Sequence, residues 1–386
     1  MGVKKLGNLI KNKAPNCMTN HSLADFDNTI QAFDASIQIY KFVIAIRNNN
    51  KGKDILTKYG KLKSHIFGTW HKILTLMDHN ILSVWIFDGP PPKIKKCTLN
   101  DRKKIKNNAK TKLFNKEYNN EKEKTRLMKK SFIINNNHIK DVQKLLNLIG
   151  IPYIQAIGEA EAQCAALNKA NKIYGVVTED WDALPFGSKI MLKNFTNKKQ
   201  IKKIDLHILL KELDLTHSQF IDICILLGTD YSKSIKGLSP VELYEKYKKA
   251  GNIENLLNIL RKNNYNIPDN YENNWMKVKK YYSQVKVLDP YDPKINLKWR
   301  KPDCKNLLKF LCNEYDFNRI KTKEKIDKLL LLHKQYLLNN IINHNIFTKL
   351  LNNNNVILNL NTKFMIDTYR HNLLEHATNL PEDVYN

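Results

Sequence analysis

Acidic residues recur where runs of β-forming residues stop. Asp34 follows Ile30-Gln31-Ala32-Phe33, Asp88 follows Ser83-Val84-Trp85-Ile86-Phe87, and Asp180 and Asp182 follow Ile173-Tyr174-Gly175-Val176-Val177-Thr178. Glu159 and Glu161 stand at the start of a helical stretch, and Asp230 comes just after an apolar helix ending at Gly228. One Asp at a strand end is ordinarily a turn former or a helix cap. Seven carboxylates converging on one crevice are different, because they repel one another unless cations sit among them. Oxygen donors suit Mg²⁺ or Mn²⁺, whereas Zn²⁺ prefers Cys and His. Two such ions about 3.5–4 Å apart can clamp an in-line phosphoryl displacement, one holding the attacking hydroxide and the other the leaving oxygen. The pattern alone leaves a nuclease, a phosphatase and a metal-dependent RNase open.

The elements that must position these acids alternate. Strands are expected at 29–33, 83–87, 153–156 and 173–178, with helices at 37–47, 65–77, 139–149 and 159–170. Gly150 and Pro152 stop the third of these helices. Strands alternating with helices imply an α/β fold, a mostly parallel twisted sheet with helices on both faces, whose ligand crevice lies beyond the carboxyl ends of the strands. Residues 220–227 form an apolar helix, and a second helix follows Gly237. There Ser239 is the N-cap, Pro240 the first helical residue and Glu242 the partner in a capping box. Between 93 and 130, Lys93, Lys95, Lys96, Arg102, Lys103, Lys104, Lys106, Lys110, Lys112 and Lys116 crowd a stretch with few large apolar residues. It reads either as a solvated insertion or as a basic gateway for a nucleic-acid strand.

Charge points the same way. The 386 residues carry 64 Lys+Arg against 37 Asp+Glu, a formal net charge of +27, which favours a polyanionic partner. A hydrophobic share of 42% suits a globular enzyme rather than a disordered chain. The lysine-rich start lacks the apolar run of a secretory signal, and no run of about 18 apolar residues offers a membrane span. Cys17, Cys97, Cys164, Cys224, Cys304 and Cys312 are scattered, without zinc-ligand spacing, as reduced thiols of an intracellular protein would be. From about Lys321 the chain reads as helical and Asn-rich, with an asparagine run at 352–355.

The motifs together resemble the flap-endonuclease branch of the xeroderma-group-G nucleases. The carriers are Met1-Gly2-Val3-Lys4-Lys5-Leu6, Phe33-Asp34-Ala35-Ser36, Phe87-Asp88-Gly89 with Pro91-Pro92, Gly158-Glu159-Ala160-Glu161-Ala162, Thr178-Glu179-Asp180-Trp181-Asp182, and Leu226-Leu227-Gly228-Thr229-Asp230-Tyr231 with Gly237-Leu238-Ser239-Pro240. Their order and separations match the family over about residues 1–310.

The resemblance implies a structure-specific 5′ nuclease acting on flapped or branched DNA in replication, repair or recombination, with 5′-to-3′ exonuclease activity as a further expectation. The metal ligands would be Asp34, Asp88, Glu159, Glu161, Asp180, Asp182 and Asp230, holding two Mg²⁺ for which Mn²⁺ can substitute. Lys95 and Arg102, at the base of a helical gateway, would neutralise the scissile phosphate. Tyr40 would stack on an unpaired base, and Arg47 and Lys72 would contact duplex. Gly2 would let the chain start pass close to DNA. Gly228, Gly237 and Ser239 would belong to a helix–two-turn–helix that grips a duplex phosphate and binds K⁺. The implied organisation is a nuclease region at 1–110, the gateway at 93–135, a second nuclease region at 136–260 with the helix–two-turn–helix at 220–250, the end of the core at 261–320, and a helical extension at 321–386. A monomer in the nucleus or a cytoplasmic DNA-replication compartment is expected.

The departures from the family are specific. Pro90 and Lys72 replace usually basic and arginine positions, and lysine lacks the bidentate fork. The nearest echo of a sliding-clamp box, at 335–342, lacks its aromatics, so a packed helix explains it better. The alternatives are a catalytically inert DNA-binding scaffold and, within the family, a junction-resolving or excision-repair endonuclease.

Overall fold

The computed structural model describes residues 2–49, 53–197, 199–268 and 270–352. Most of the asparagine run and all of the tail beyond it lie outside the described residues. The chain divides into two units, 1–323 and 324–386. In the second the backbone is helical as far as Asn352, and this includes the clamp-box echo at 335–342. Everything below concerns the first unit.

Among the described residues seven strands form one sheet: β1 (Met18–His21), β2 (Ile30–Asp34), β3 (Leu82–Phe87), β4 (Tyr153–Gln155), β5 (Gly175–Val177), β6 (Ile190–Lys193) and β7 (Ile201–Asp205). Their order is β1-β7-β6-β5-β2-β3-β4. The run from β6 to β4 is parallel, as the sequence predicts, and β7 and β1 add an antiparallel edge. The central strands are buried on both faces, which is why they read as predominantly apolar runs, interrupted only by the buried Gln31 and Ser83 before the closing Asp34. Phe33 and Trp85, paired in register, stack with ring centroids 5.6 Å apart at 15°.

Helices α1 (Leu6–Lys13), α2 (Ala35–Asn49), α3 (Ser64–Asp78), α6 (Asn136–Ile149) and α7 (Ala160–Lys169) cover the sheet with α8 (Leu206–Leu213). Between α3 and α6 stand α4 (Lys96–Phe114) and α5 (Glu121–Ser131). Only Ala109 of α4 and Leu127 of α5 are buried, so these helices contribute almost nothing to a core. They pack on each other, and the chain anchors them chiefly at their feet.

After α9 (His217–Leu227) come α10 (Pro240–Ala250), α11 (Ile253–Lys262) and α12 (Tyr271–Ser283). The Ser239–Glu242 capping box forms as the sequence indicates, with Pro240 at the first helical position. Gly228 ends α9 at φ 93°, where a Cβ would run into the backbone of Ser234. An irregular strap then leads to α13 (Cys304–Lys309), tied down by Arg300 N–H to the Gly150 carbonyl at 2.9 Å and Trp299 Nε1–H to Ile149 at 3.0 Å. The last helix among the described residues, α14 (Arg319–Asn352), begins in the first unit. Among the described residues no helix is long and apolar enough to cross a membrane.

Candidate active site

Three neighbouring strands, β5, β2 and β3, deliver acids at their carboxyl ends. Asp34 closes β2, and its Oδ1 accepts the Ile37 N–H at 3.0 Å, capping the first turn of α2. Asp88 follows β3, and its Oδ1 accepts the Ala160 N–H at 3.0 Å, at the start of α7. That contact, with Gly89 N–H to the Gly158 carbonyl at 2.6 Å, locks the Asp88 loop to the Glu159 loop. Glu161 lies in the first turn of α7, close enough to Asp34 for that acid's charge to raise it. Asp180 follows β5, and its Oδ1 accepts the Asp182 N–H at 3.2 Å. Asp230 arrives from the turn after α9.

The carboxylates fall into two electrostatic settings. Asp34, Asp88, Glu161, Asp180 and Asp182 make no ion pair with Lys or Arg among the described residues. Burial, then Asp88, pushes Asp34 up to about 7. Burial, then Asp34, Asp88 and Asp180, pushes Glu161 well above the carboxylate range, and burial with Asp180 and Asp230 does the same to Asp182. Glu159 and Asp230, by contrast, are neutralised. Lys95 donates to Glu159 and sits 3.5 Å from Asp230, while Arg102 Nη2 lies 2.8 and 2.7 Å from the two Asp230 oxygens. Burial alone would lower Lys95; Glu159, Glu161 and Asp230 outweigh it and hold the ammonium above its ordinary value.

Among the described residues no three Asp, Glu, His or Cys side chains already close around a point as a finished metal cage. The donor set nevertheless fits hard divalent cations. It is all oxygen, mostly buried apart from the exposed Asp88, and at Asp34, Glu161, Asp180 and Asp182 destabilised in its charged form by burial and neighbouring acids, which is the deficit such an ion corrects.

Comparison with known proteins decides what this constellation belongs to. The XPG N-terminal domain matches residues 1–109 and the XPG I-region matches 150–230. Flap endonuclease 1 of Homo sapiens is 34% identical over 335 residues, 85% of this chain and 86% of that protein. Flap endonuclease 1 of Entamoeba histolytica is 36% identical over 334 residues, 85% and 87% of the two chains. The chain belongs to the flap-endonuclease family. Its fold agrees with solved members: the catalytic core of Rad2 in complex with DNA substrate matches with a TM-score of 0.65 at 27% identity, covering 85% of this chain and 100% of that one. Flap endonuclease-1 from Methanococcus jannaschii matches with a TM-score of 0.63 at 28% identity, covering 82% and 96%.

Other positions that the flap-endonuclease motifs single out are distributed as follows. Gly2 adopts φ 70° directly against Asp180, where a Cβ would overlap Asp180 Oδ1. Lys4 N–H donates to the Gly228 carbonyl at 2.8 Å, so the chain start is stitched to the turn after α9. Tyr40 is half-buried, and its hydroxyl donates to the Lys129 carbonyl at 3.3 Å. Arg47 is 9% exposed and engaged by Asp54. Lys72 points inward: its ammonium donates to the Phe195 carbonyl and lies 5.7 and 5.2 Å from the Phe33 and Phe195 ring centres. Burial, then Lys41, pushes it down to about 7. Gly237 adopts φ 87° and Ser239 caps α10.

Sequence reasoning missed a ring of tyrosines around the acids. Tyr231 donates to Glu159, Tyr281 donates to Glu159 at 3.0 Å, and Tyr282 donates to Asp182 Oδ1 at 2.9 Å. It also missed Glu179, which accepts Lys41 at 2.8 Å while its own carbonyl accepts Lys193 at 2.7 Å. Tyr281 and Tyr282 lie about a hundred residues beyond the acids, with no local pattern that marks them.

Proposed function

We propose that this family member is a structure-specific 5′ nuclease that hydrolyses flapped or branched DNA at its carboxylate crevice, using two divalent ions. The carrying observation is the joint placement of Asp34, Asp88, Glu159, Glu161, Asp180, Asp182 and Asp230 beyond β5, β2 and β3, with Lys95 and Arg102 of the basic helical pair reaching into the same crevice. When bound, Mg²⁺ or Mn²⁺ would supply an activated water and charge neutralisation at the phosphate.

The chain's own groups do the rest. The seven acids would hold the ions. Lys95 and Arg102 turn from Glu159 and Asp230 to the non-bridging oxygens of the scissile phosphate, where charge accumulates as water's oxygen bonds to phosphorus and the phosphorus–oxygen ester bond breaks. The α4–α5 pair, at 93–135, acts as the gateway through which a 5′ strand passes. The turn at 228–239 and the N-terminus of α10 hold a duplex phosphate through backbone amides, with K⁺ as the expected companion ion. Such grip is salt-sensitive and indifferent to sequence, so the shape of the junction selects the substrate. The protein acts as a monomer, without clamp recruitment through 335–342.

The test is cleavage of an end-labelled 5′-flap duplex with Mg²⁺, beside an EDTA control and the Asp180→Ala variant. Metal-dependent cutting near the flap base, lost in the variant while DNA binding persists, supports the reading. Undiminished cutting by Asp180→Ala sinks it. Four-way and bubble substrates in the same assay separate flap cutting from junction resolution and excision.

A further inference from the structure

The gateway stands on two feet, and they are fastened differently. The first foot, at the start of α4, is held on the acids: Lys95 on Glu159, Arg102 on Asp230, and Thr98 Oγ1 donating to the Asp230 carbonyl at 2.5 Å. The second foot is the last turn of α5. It offers one buried residue, Leu127, and cannot fix itself by packing.

We propose that Arg47 and Asp54 form a latch that positions this second foot, and that Arg47 acts in flap cutting through that latch rather than by touching duplex. Arg47 makes a fork onto Asp54, Nε to Oδ1 and Nη2 to Oδ2, both at 2.7 Å. Its remaining Nη1 donates to the Met128 carbonyl of α5 at 2.7 Å. The guanidinium face is covered by Phe132, 4.7 Å from the ring centre. Both edges and one face of the cation are therefore used, and a DNA phosphate could take it only by breaking two charge-assisted bonds.

The surroundings extend the latch. Tyr40, two turns earlier on α2, donates to the Lys129 carbonyl. Phe132 stacks on His138 of α6, with centroids 5.9 Å apart at 24°. Helix α2 thus carries Asp34 at its start and Arg47 in its last turn, roughly 20 Å apart along one helix of about 1.5 Å rise per residue. A single rigid element ties the metal-side acid to the gateway's far foot. Asp54 comes from the segment between α2 and α3, so that segment and the gateway are held by the same guanidinium.

The inference rests on the reading that a 5′ strand passes between the gateway feet. Loss of the latch should harm substrates with a strand to pass and spare a recessed 5′ end, because Lys95 and Arg102 are fastened on the other foot. Arg47 and Asp54 are then positioning residues.

The experiment compares wild type, Arg47→Lys, Asp54→Asn and the double variant on a 5′-flap duplex and on a recessed 5′ end, with hydrogen exchange of 121–131 and duplex affinity against salt. Lysine keeps the charge but loses the fork and the stacked plane. The expected result is a flap kcat lowered about tenfold or more in each single variant, no further loss in the double, and recessed-end cutting and duplex Kd within about twofold of wild type. Faster exchange confined to 121–131 should accompany it. Asp54→Asn leaving flap kcat intact, or Arg47→Lys weakening duplex binding with a shallower salt slope, overturns the latch in favour of a phosphate contact. Equal losses on both substrates also overturn it, since they mark a structural role alone. A wild-type protein that cuts neither substrate rejects the nuclease reading itself, a result distinct from these.

Discussion

The Tyr282 hydroxyl lies 2.9 Å from Asp182 Oδ1, one helix residue away from Tyr281, whose hydroxyl lies 3.0 Å from Glu159 Oε2. Two consecutive residues of α12 thus hold one oxygen of each of two acids that stand at opposite sides of α7 and β5 in the sequence. A hydroxyl on one carboxylate oxygen fixes the rotation of the other, which is how outer partners orient metal ligands. Tyr282→Phe keeps the ring and removes the bond. Apparent Mg²⁺ affinity should fall roughly tenfold, with kcat at saturating Mg²⁺ changed much less. Calorimetric titration of the DNA-free protein checks this; unchanged affinity would mean that the tyrosine only fills space.

The crowded acids predict an unusual pH response in metal-free protein. Asp34 rises from the ordinary 3.8 to about 7, first through burial and then through Asp88. Glu161, Asp180 and Asp182 shift in the same direction. A raised carboxyl binds its proton more tightly folded than unfolded. Its stabilising contribution is complete below pH 4 and is lost as pH climbs through about 7. Asp141, drawn down to about 2 by His65, Tyr315 and Lys61 against its burial, acts oppositely but outside this window. The difference in Tm between Mg²⁺-loaded and EDTA-treated protein should therefore widen between pH 4 and pH 7. A difference that is flat across that interval would show that the acids are not mutually strained.

The parts of this arrangement legible in the sequence are those dictated locally. Strands buried on both faces are largely apolar, so Phe33 and Phe87 announce where the apolar stretches of β2 and β3 stop and where Asp34 and Asp88 begin. Ser239, Pro240 and Glu242 announce a helix start because the cap is a contact three residues long. The antiparallel end of the sheet, β1 and β7, is not legible. Met18–His21 is largely exposed and polar, and Ile201–Asp205 buries only two of its five residues. Both exist because of antiparallel pairing with each other, a long-range fact. Lys72 illustrates the same limit at a site. Helical spacing places it on α3, but only Phe33 and Phe195, from a strand and a distant loop, turn its ammonium inward.

Gly2 is required by contact. Its φ of 70° and the overlap of an added Cβ with Asp180 Oδ1 leave no room for alanine without moving that carboxylate. Gly2→Ala should cost about 1–3 kcal/mol in stability through backbone strain. Its larger effect should be on cutting, since Asp180 is displaced while duplex binding at the 228–239 turn is untouched. Single-turnover rates beside duplex affinity distinguish the two. Weakened duplex affinity with an unchanged rate would instead assign Gly2 to DNA passage.

Lys95 has two opposed effects that one substitution separates. In the metal-free protein it is the cation on Glu159, with Asp230 at 3.5 Å, so it occupies the charge deficit that a divalent ion would fill. Lys95→Ala removes that competitor and leaves Glu159 held, among the described residues, by the tyrosine hydroxyls of Tyr231 and Tyr281. Metal binding to the DNA-free protein should therefore tighten several-fold, by the rule that unpaired buried carboxylates attract cations. Cutting should move the other way, with kcat lower by roughly 10²–10³ because a donor to the developing phosphate charge is gone. Mn²⁺ titration without DNA and single-turnover cleavage at saturating metal read the two effects independently. If affinity and rate fall together, Lys95 serves to orient Glu159 for the ion; if the rate survives, the phosphate is neutralised by Arg102 alone.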